Sequence, residues 1–221
     1  MAELYLIRHA QASFGADDYD KLSKLGQKQS YALGQALAIQ GVRPDIWIRG
    51  DMRRHRETIK GIAKGMGLDT VKTEIHAGLN EYDFTGLLNA RYLRNPAPEN
   101  MHTDRKTHFR TLRETVLEWQ ADCIENPPET WVDFEQRIEG ARKFIMREGA
   151  NTVLALSSGG AISQMISAAL ETPKEIQIRL QLQMKNCAVN RFIFTRKGFY
   201  VHGFNESPHV TQETNHFLTY S

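Results

Sequence analysis

Two residues able to take part in phosphoryl chemistry, Arg8 and His9, stand directly after a short apolar segment near the start of the chain. Residues 4–7 carry aromatic and β-branched side chains, which predicts a buried strand that ends at Arg8. A neutral imidazole in that place can attack phosphorus, and a neighbouring guanidinium can bind the phosphate oxygens. A surface pair at the mouth of a loop would have the same sequence, so the interpretation depends on residues elsewhere.

Two further side chains support phosphoryl chemistry. Arg54 lies in the first turns of the helix predicted after the next strand, and arginine binds phosphate through a planar pair of donors. Glu81 comes just after a third predicted strand. A carboxyl group close to a bound dianion tends to keep its proton, so Glu81 fits a general acid for the leaving oxygen. Asp83 is the nearest competing acid.

A turn of small residues, Ser-Ser-Gly-Gly at 157–160, follows the clearest strand of the chain, residues 153–156. Backbone N–H groups at the start of a helix can bind an anion. A tight turn that only requires small side chains explains the same four residues, and both interpretations stay open.

Strands and helices alternate along most of the chain, which is typical of an α/β protein with a mostly parallel sheet covered on both faces. The patterns predict helices over residues 24–39, 53–64, 104–118, 131–147 and 161–170, and strands over 4–7, 45–48, 71–75, 153–156, 188–194 and 199–203. Three of the predicted strands lead into polar residues, at Arg8, Arg49 and Ser157. Ligands of such sheets bind beyond the carboxyl ends of the strands, so we expect these three ends to converge.

The whole chain, residues 1–221, is predicted to form a single domain, because its length suits one large domain better than two small ones. Residues 86–128 differ in character, since they are polar and hold four of the seven prolines. We interpret this segment as an insertion over one end of the sheet.

The composition argues against several classes of function. Lys and Arg number 28 and Asp and Glu 26, and a net charge of +2 offers no electrostatic case for nucleic acid. No window reaches the roughly 20 apolar residues that span a bilayer, and the first residues lack the basic region of a secretory signal. The unpaired Cys123 and Cys187 are predicted to be buried, and the eight histidines form no metal-binding pattern. We therefore predict a cytoplasmic protein with a small-molecule ligand and neither a nucleic-acid nor a membrane partner.

Five segments, taken in order, resemble motifs of the histidine phosphatase (phosphoglycerate mutase-like) superfamily. Residues 6–11, Leu-Ile-Arg-His-Ala-Gln, are similar to its Arg-His-Gly signature, and residues 22–34 resemble the helix that follows. Residues 50–58, Gly-Asp-Met-Arg-Arg-His-Arg-Glu-Thr, are similar to its Ser-Asp-Leu-x-Arg-x-x-Gln-Thr segment. Residues 79–81, Leu-Asn-Glu, match its proton-donor segment, and residues 153–162 resemble its Val-Ser-His-Gly-Gly strand and turn.

The resemblance implies a three-layer α/β/α fold and a phosphoester hydrolase that acts through a phosphohistidine on His9, with neither metal nor other cofactor. The residues to which it gives catalytic roles are His9, Glu81, Arg8 and Arg54. The residues expected to bind phosphate are Arg8, Arg54, Ser158, Gly159, Gln11 and Ser13.

Three small departures from the family pattern lie in or near the segments 6–11 and 50–58. Ala10 replaces the glycine of the signature, and Gly50 replaces a serine. Gly15 stands where many relatives have an asparagine near the phosphate, and Gln11 or Ser13 can substitute for it.

The largest departure is Ser158, which falls where the second histidine of the family donates a hydrogen bond to the transferring phosphoryl group. Serine carries no charge and has a shorter reach, so the substitution predicts a slow enzyme. No other histidine has a matching context. His202, His209 and His216 lie near the end of the sequence, and each is predicted to be at the surface.

Three alternatives to a phosphatase stay open. Ser158 favours a non-catalytic phosphate-binding or regulatory protein. A phosphoglycerate mutase is less favoured, because mutases of this superfamily carry basic residues after the proton donor, whereas residues 82–86 are neutral to acidic. A serine hydrolase would use residues 155–159 as a loose nucleophile elbow, but no aspartate follows Ser157 to complete a triad in the usual chain order.

Overall fold

The apolar runs of the sequence form the strands of one sheet. A computed structural model describes residues 1–13, 20–94, 96–101 and 104–220. The strands in this part of the chain are β1 (Ala2–Arg8), β2 (Ile46–Arg49), β3 (Glu74–Ile75), β4 (Thr152–Ser157), β5 (Val189–Phe194) and β6 (Phe199–Glu206). Five of them lie within two residues of the predicted bounds or extend them slightly, and β3 is shorter than the predicted 71–75.

The strand order β3-β2-β4-β1-β5-β6 brings the predicted site strands together. The pairs β3–β2, β2–β4 and β4–β1 are parallel, whereas β5 is antiparallel to both of its neighbours. Five of the six strands therefore run in the same direction, and the prediction of a mostly parallel sheet is confirmed. Arg8 pairs with Ser157 and Arg49 with Leu156, so the carboxyl ends of β1, β4 and β2 lie side by side.

Helices cover both faces of this sheet. They are α1 (Lys24–Ile39), α2 (Arg53–Gly65), α3 (Phe84–Arg91), α4 (Arg105–Gln120), α5 (Trp131–Ile145), α6 (Gly159–Ala169) and α7 (Ile176–Gln183). Alternate residues of β1 point to opposite faces. Leu4 and Leu6 pack in a cluster with α5 and α6, while Tyr5 and Ile7 pack in a second cluster with α1 and α2. This arrangement is the three-layer α/β/α fold that the resemblance implied.

The helix predictions succeeded where a local signal marks the first residue. Helix α1 has the predicted bounds, and its capping residue Ser23 accepts a hydrogen bond from the Gly26 amide at 3.0 Å. For α2 the sequence predicts Asp51 as the capping residue, which is wrong, because the Asp51 carboxylate accepts a hydrogen bond from the Asn80 side-chain amide. Asp20, far away in the sequence, instead accepts from the Arg53 amide at 2.6 Å.

The segment 86–128 contributes to the hydrophobic core, and its position over one end of the sheet stays a prediction. In α4, Val116 and Trp119 are buried in the same cluster as Leu4 of β1. The Trp119 ring contacts Trp131 of α5 at 4.9 Å between centroids. This packing supports our proposal of a single domain that includes the segment.

Two predictions about burial are partly wrong. Cys187 is buried as expected, but Cys123 is exposed. His202 and His216 are exposed as expected, whereas His209 is buried and neither of its ring nitrogens has a hydrogen-bond partner among the described residues. Burial, helped by the charge of Lys185, lowers the pKa of His209 to about 4. No helix in the described ranges is long and apolar enough to cross a membrane.

Candidate active site

His9 lies at the end of β1 with its ring buried and its protonation defined by one hydrogen bond. Its Nδ1 is 2.8 Å from the carbonyl oxygen of Ala10. A carbonyl oxygen can only accept, so Nδ1 carries the proton and Nε2 keeps a free lone pair. Burial, together with the positive charges of Arg54 and Arg8, holds the pKa of His9 well below its ordinary value of 6.5. The ring is therefore a neutral imidazole suited to act as a nucleophile.

Hydrogen bonds hold the residues around His9 in place. The His9 amide donates to the Ser157 carbonyl at 3.0 Å, which ties the end of β1 to the end of β4. The Ala10 amide donates to Thr58 Oγ1 at 3.0 Å, and that hydroxyl in turn donates to the Arg54 carbonyl at 2.7 Å. The first turns of α2 are thus packed directly against the segment that carries His9.

Arg54 occupies the first turn of α2 and is 6% exposed. Its Nη1 pairs with Asp20 Oδ1 at 2.8 Å, and its Nη2 lies 3.5 Å from Ser158 Oγ. Asp20 also binds the first amide of α2, so one carboxylate sets both the start of the helix and the direction of the guanidinium. Asp20 could not be identified from the sequence, because its partners are more than 30 residues away along the chain.

Arg8 is held by backbone carbonyl groups near the end of the chain. Its Nη1 donates to the carbonyls of Met184 and Tyr220, the second at 3.1 Å. A Cβ at Gly159 would lie 3.6 Å from Arg8 Nε, so this guanidinium borders the turn after β4. Arg8 and Arg54 therefore approach the same turn from two sides, as expected for residues that share a phosphate group.

Glu81 lies beside the same turn and is half-buried. Its Oε2 accepts a hydrogen bond from the Gly160 amide at 2.9 Å. Burial raises the pKa of Glu81, although the Gly160 amide and the charges of Arg54 and Arg8 act against that rise. A carboxyl group with a raised pKa can hold the proton that a leaving oxygen needs. The competing Asp83 is used elsewhere, since it caps α3 by accepting from the Gly86 amide.

The turn after β4 is anchored through its serines. Ser157 Oγ donates to the Leu79 carbonyl at 2.7 Å, which fixes the Glu81 segment against β4. Ser158 is the residue before α6, but its hydroxyl makes no capping bond to that helix. It lies instead 2.8 Å from Nε2 of His55.

Gln11 and Ser13 are the remaining residues predicted to bind phosphate. Gln11 Oε1 accepts from Ser23 Oγ at 2.8 Å, so this side chain supports the start of α1. The Ser13 amide donates to the Lys21 carbonyl at 2.8 Å. Gly15 lies outside the described residues. Phosphate binding by Gln11 and Ser13 therefore stays a prediction.

His55 is a site residue that the sequence analysis missed. It belongs to a run of basic residues, Arg-Arg-His-Arg, that suggests a solvated helical face. In the structure its ring is fully buried and lies 5.9 Å from the ring of His9, centroid to centroid. The signal that could have found it is Gly50, whose missing side chain leaves the space that the ring occupies.

A pair of glycine substitutions tests the position of Glu81. A Cβ at Gly160 would lie 2.2 Å from Glu81 Oε1 and 2.4 Å from a ring carbon of Tyr82, whereas a Cβ at Gly159 finds no atom closer than 3.5 Å. We expect Gly160→Ala to displace the carboxyl group and to lower kcat for an alkyl phosphate by about 10² or more. Gly159→Ala, the matched control, should cost far less. Equal losses in the two folded variants would contradict the placement of Glu81.

The histidine phosphatase superfamily (branch 1) matches residues 4–207, nearly the whole chain. The chain belongs to this superfamily. Solved structures show the same fold. The glucosyl-3-phosphoglycerate phosphatase of a mycobacterium, solved with inorganic phosphate, superposes on this chain with a TM-score of 0.67 at 18% identity. The match covers 96% of this chain and 100% of that one. Phosphoserine phosphatase from Entamoeba histolytica, solved with 3-phosphoglyceric acid, gives a TM-score of 0.66 at 20% identity, over 95% and 99%.

A curated relative in the superfamily matches part of the chain. The 2,3-bisphosphoglycerate-dependent phosphoglycerate mutase of Methylocella silvestris is 30% identical over 115 residues. The match covers 48% of this chain and 55% of the mutase, so the chain spans about half the length of this relative. The similar proteins thus include two phosphatases and a mutase, and the residues of the site are what distinguishes the two activities.

Proposed function

We propose that this protein is a phosphomonoesterase that transfers the phosphoryl group of a small-molecule phosphoester to His9 and then to water. The observation that carries the proposal is the hydrogen bond from His9 Nδ1 to the Ala10 carbonyl. It leaves the Nε2 lone pair free in a group of side chains that includes two arginines and a carboxyl group. Few other roles need a buried histidine held neutral in one tautomer between positive charges.

In the first step His9 Nε2 attacks phosphorus and the ester P–O bond breaks. The electron pair of that bond goes to the leaving oxygen, which takes the proton of Glu81. Arg8 and Arg54 bind the non-bridging oxygens and compensate for their charge, which is the contribution a metal ion makes in other phosphatases. The proposed reaction therefore needs no metal ion.

In the second step water attacks the phosphorus of the phosphohistidine. The Glu81 carboxylate, which has lost its proton in the first step, accepts a proton from this water. The P–N bond breaks, its electron pair returns to Nε2, and inorganic phosphate leaves. Both His9 and Glu81 recover their starting states.

The alternatives receive less support from the same contacts. A mutase needs a basic group after the proton donor to bind a sugar-acid phosphate, but residues 82–86 contain none, and Asp83 among them caps α3. For a serine hydrolase, Ser157 donates to a backbone carbonyl, and His55 Nδ1 has no carboxylate partner among the described residues. A binding protein that lacks turnover would not need the raised pKa of Glu81.

Turnover of p-nitrophenyl phosphate in the presence of EDTA tests the proposal. We expect phosphate release that is unchanged by the chelator and not increased by added Mg²⁺ or Zn²⁺. Incubation with 3-phosphoglycerate and 2,3-bisphosphoglycerate should give inorganic phosphate and no 2-phosphoglycerate. Activity that is lost in EDTA and restored by a divalent cation, or isomerisation without release of phosphate, would contradict it.

A further inference from the structure

The ring of His55 is placed against the residue that departs most from the family pattern. His55 and Ser158 are both fully buried, and Nε2 of the histidine lies 2.8 Å from Oγ of the serine. The resemblance expects a histidine at position 158. The imidazole missing from the end of β4 therefore has a counterpart next to it, on α2.

A second departure makes room for this ring. The resemblance expects serine at position 50, where this chain has glycine. A Cβ at Gly50 would lie 2.3 Å from His55 Nδ1, too close for any side chain while the ring stays in place. Gly50 and Ser158 thus border the His55 imidazole on opposite sides. The two departures from the family pattern look independent in the sequence, but the position of this ring accounts for both.

Packing alone does not explain a histidine here. Nδ1 of His55 is buried with no hydrogen-bond partner among the described residues, and burying an unpaired polar atom destabilises the folded protein. An apolar side chain would fill the same space without this cost. A residue that is retained at such a cost next to a reacting group is a candidate for a functional role.

The tautomer follows from the same unpaired atom. Buried N–H groups without a partner are rarer than unpaired acceptors, which favours the proton on Nε2. His55 then donates to Ser158 Oγ, which Arg54 Nη2 also approaches at 3.5 Å. With two donors directed at its oxygen, the hydroxyl of Ser158 has its own proton left to donate to the ligand. Burial and the charges of Arg54 and Arg49 lower the pKa of His55, in agreement with a neutral ring.

We propose that His55 takes the place of the missing second histidine as a positioning residue, which directs the hydroxyl of Ser158 toward the transferring phosphoryl group. This inference rests on the proposed function. It also removes the reason for expecting a slow enzyme, because that expectation assumed that no imidazole serves this turn.

Single and paired substitutions test the inference by the kcat and KM of p-nitrophenyl phosphate hydrolysis. His55→Ala and Ser158→Ala should each lower kcat by roughly 10²–10³, the usual effect of losing one well-aimed donor. The combination of both should cost no more than either alone, because the two residues make one interaction. Losses that multiply, or losses confined to KM, would overturn the proposal.

A relocation variant separates this role from a structural one. His55→Ala empties the space beside position 158, so adding Ser158→His places an imidazole where the family has it. We expect the pair His55→Ala/Ser158→His to recover at least tenfold in kcat over His55→Ala, while Ser158→His alone clashes with His55 and gains nothing. No recovery in a folded double variant, or a gain from Ser158→His alone, would overturn the proposal.

Two amide variants keep the test valid if His55→Ala does not fold. The Gln side-chain amide reaches the position of Nε2, whereas the shorter Asn amide reaches only that of Nδ1. We expect His55→Gln to stay within tenfold of wild-type kcat and His55→Asn to fall with His55→Ala. Equal rates for Gln and Asn would contradict the role of Nε2. If wild-type protein shows no turnover, the proposed function fails and this inference with it, whereas wild-type turnover that survives His55→Ala and His55→Asn overturns this inference alone.

Discussion

His9→Ala is expected to lower kcat for p-nitrophenyl phosphate by a factor on the order of 10⁶, as the removal of a nucleophile does in other covalent enzymes. Alanine removes Nε2, the atom that forms the bond to phosphorus, and no neighbouring group has an equivalent position. The His55 ring is the nearest candidate, but its Nε2 is directed at Ser158. Steady-state turnover together with single-turnover release of p-nitrophenol measures the loss.

An exposed histidine provides the control for that loss. His202 lies in β6 with its side chain exposed, so His202→Ala should keep the wild-type kcat. Circular dichroism and the midpoint of urea unfolding show whether each variant is folded. A folded His9→Ala variant within tenfold of the wild-type rate would exclude His9 as the nucleophile.

Glu81→Gln is expected to slow the release of the alcohol from an alkyl phosphate in a single turnover by about 10²–10⁴, the usual contribution of a general acid. Single-turnover release of p-nitrophenol from p-nitrophenyl phosphate should change much less, because this leaving group departs without a proton. Both rates report the first step, before Glu81 acts as the base toward water. Glutamine keeps the shape of the side chain and accepts the hydrogen bond from the Gly160 amide. The ratio of the two single-turnover rates therefore isolates the missing proton from any change in structure.

The matched control for Glu81→Gln is the neighbouring acid. Asp83→Asn removes a charge two residues away but preserves an oxygen that can cap α3, so its ratio for the two substrates should equal that of the wild type. If Glu81→Gln slows the single-turnover release of both leaving groups equally, Glu81 has a structural role in the first step and another group donates the proton. If Asp83→Asn reproduces the leaving-group effect, the assignment of the acid is wrong.

The residues at strand ends could be predicted from the sequence because the signal for them, the apolar run of the strand, is directly adjacent along the chain. An apolar run marks the strand, and the polar residue that follows must lie at the edge of the sheet. Arg8, His9 and Ser157 were found in this way, and the parallel arrangement of their strands brings them together. Periodicity likewise marks α1, which is long and begins at a capping serine.

What the sequence did not reveal depends on contacts between distant segments. Asp20 positions Arg54 across 34 residues, and His55 meets Ser158 across 103. A basic run on a helix normally faces solvent, and the glycine at position 50 does not by itself show that His55 is the buried residue of the run. The short α3 and α7 were missed for a different reason, since eight residues are too few to show a helical period clearly.

The phosphoenzyme itself is the most direct test of the account. Wild-type protein is mixed rapidly with a phosphoester, quenched in base and digested, and the modified residue is identified by mass spectrometry. We predict phosphate on His9, stable in base and lost in acid, and absent from His9→Ala. Phosphate on Ser158 that is stable in acid and lost in base, or turnover through no phosphoenzyme in single-turnover kinetics, would contradict the central claim.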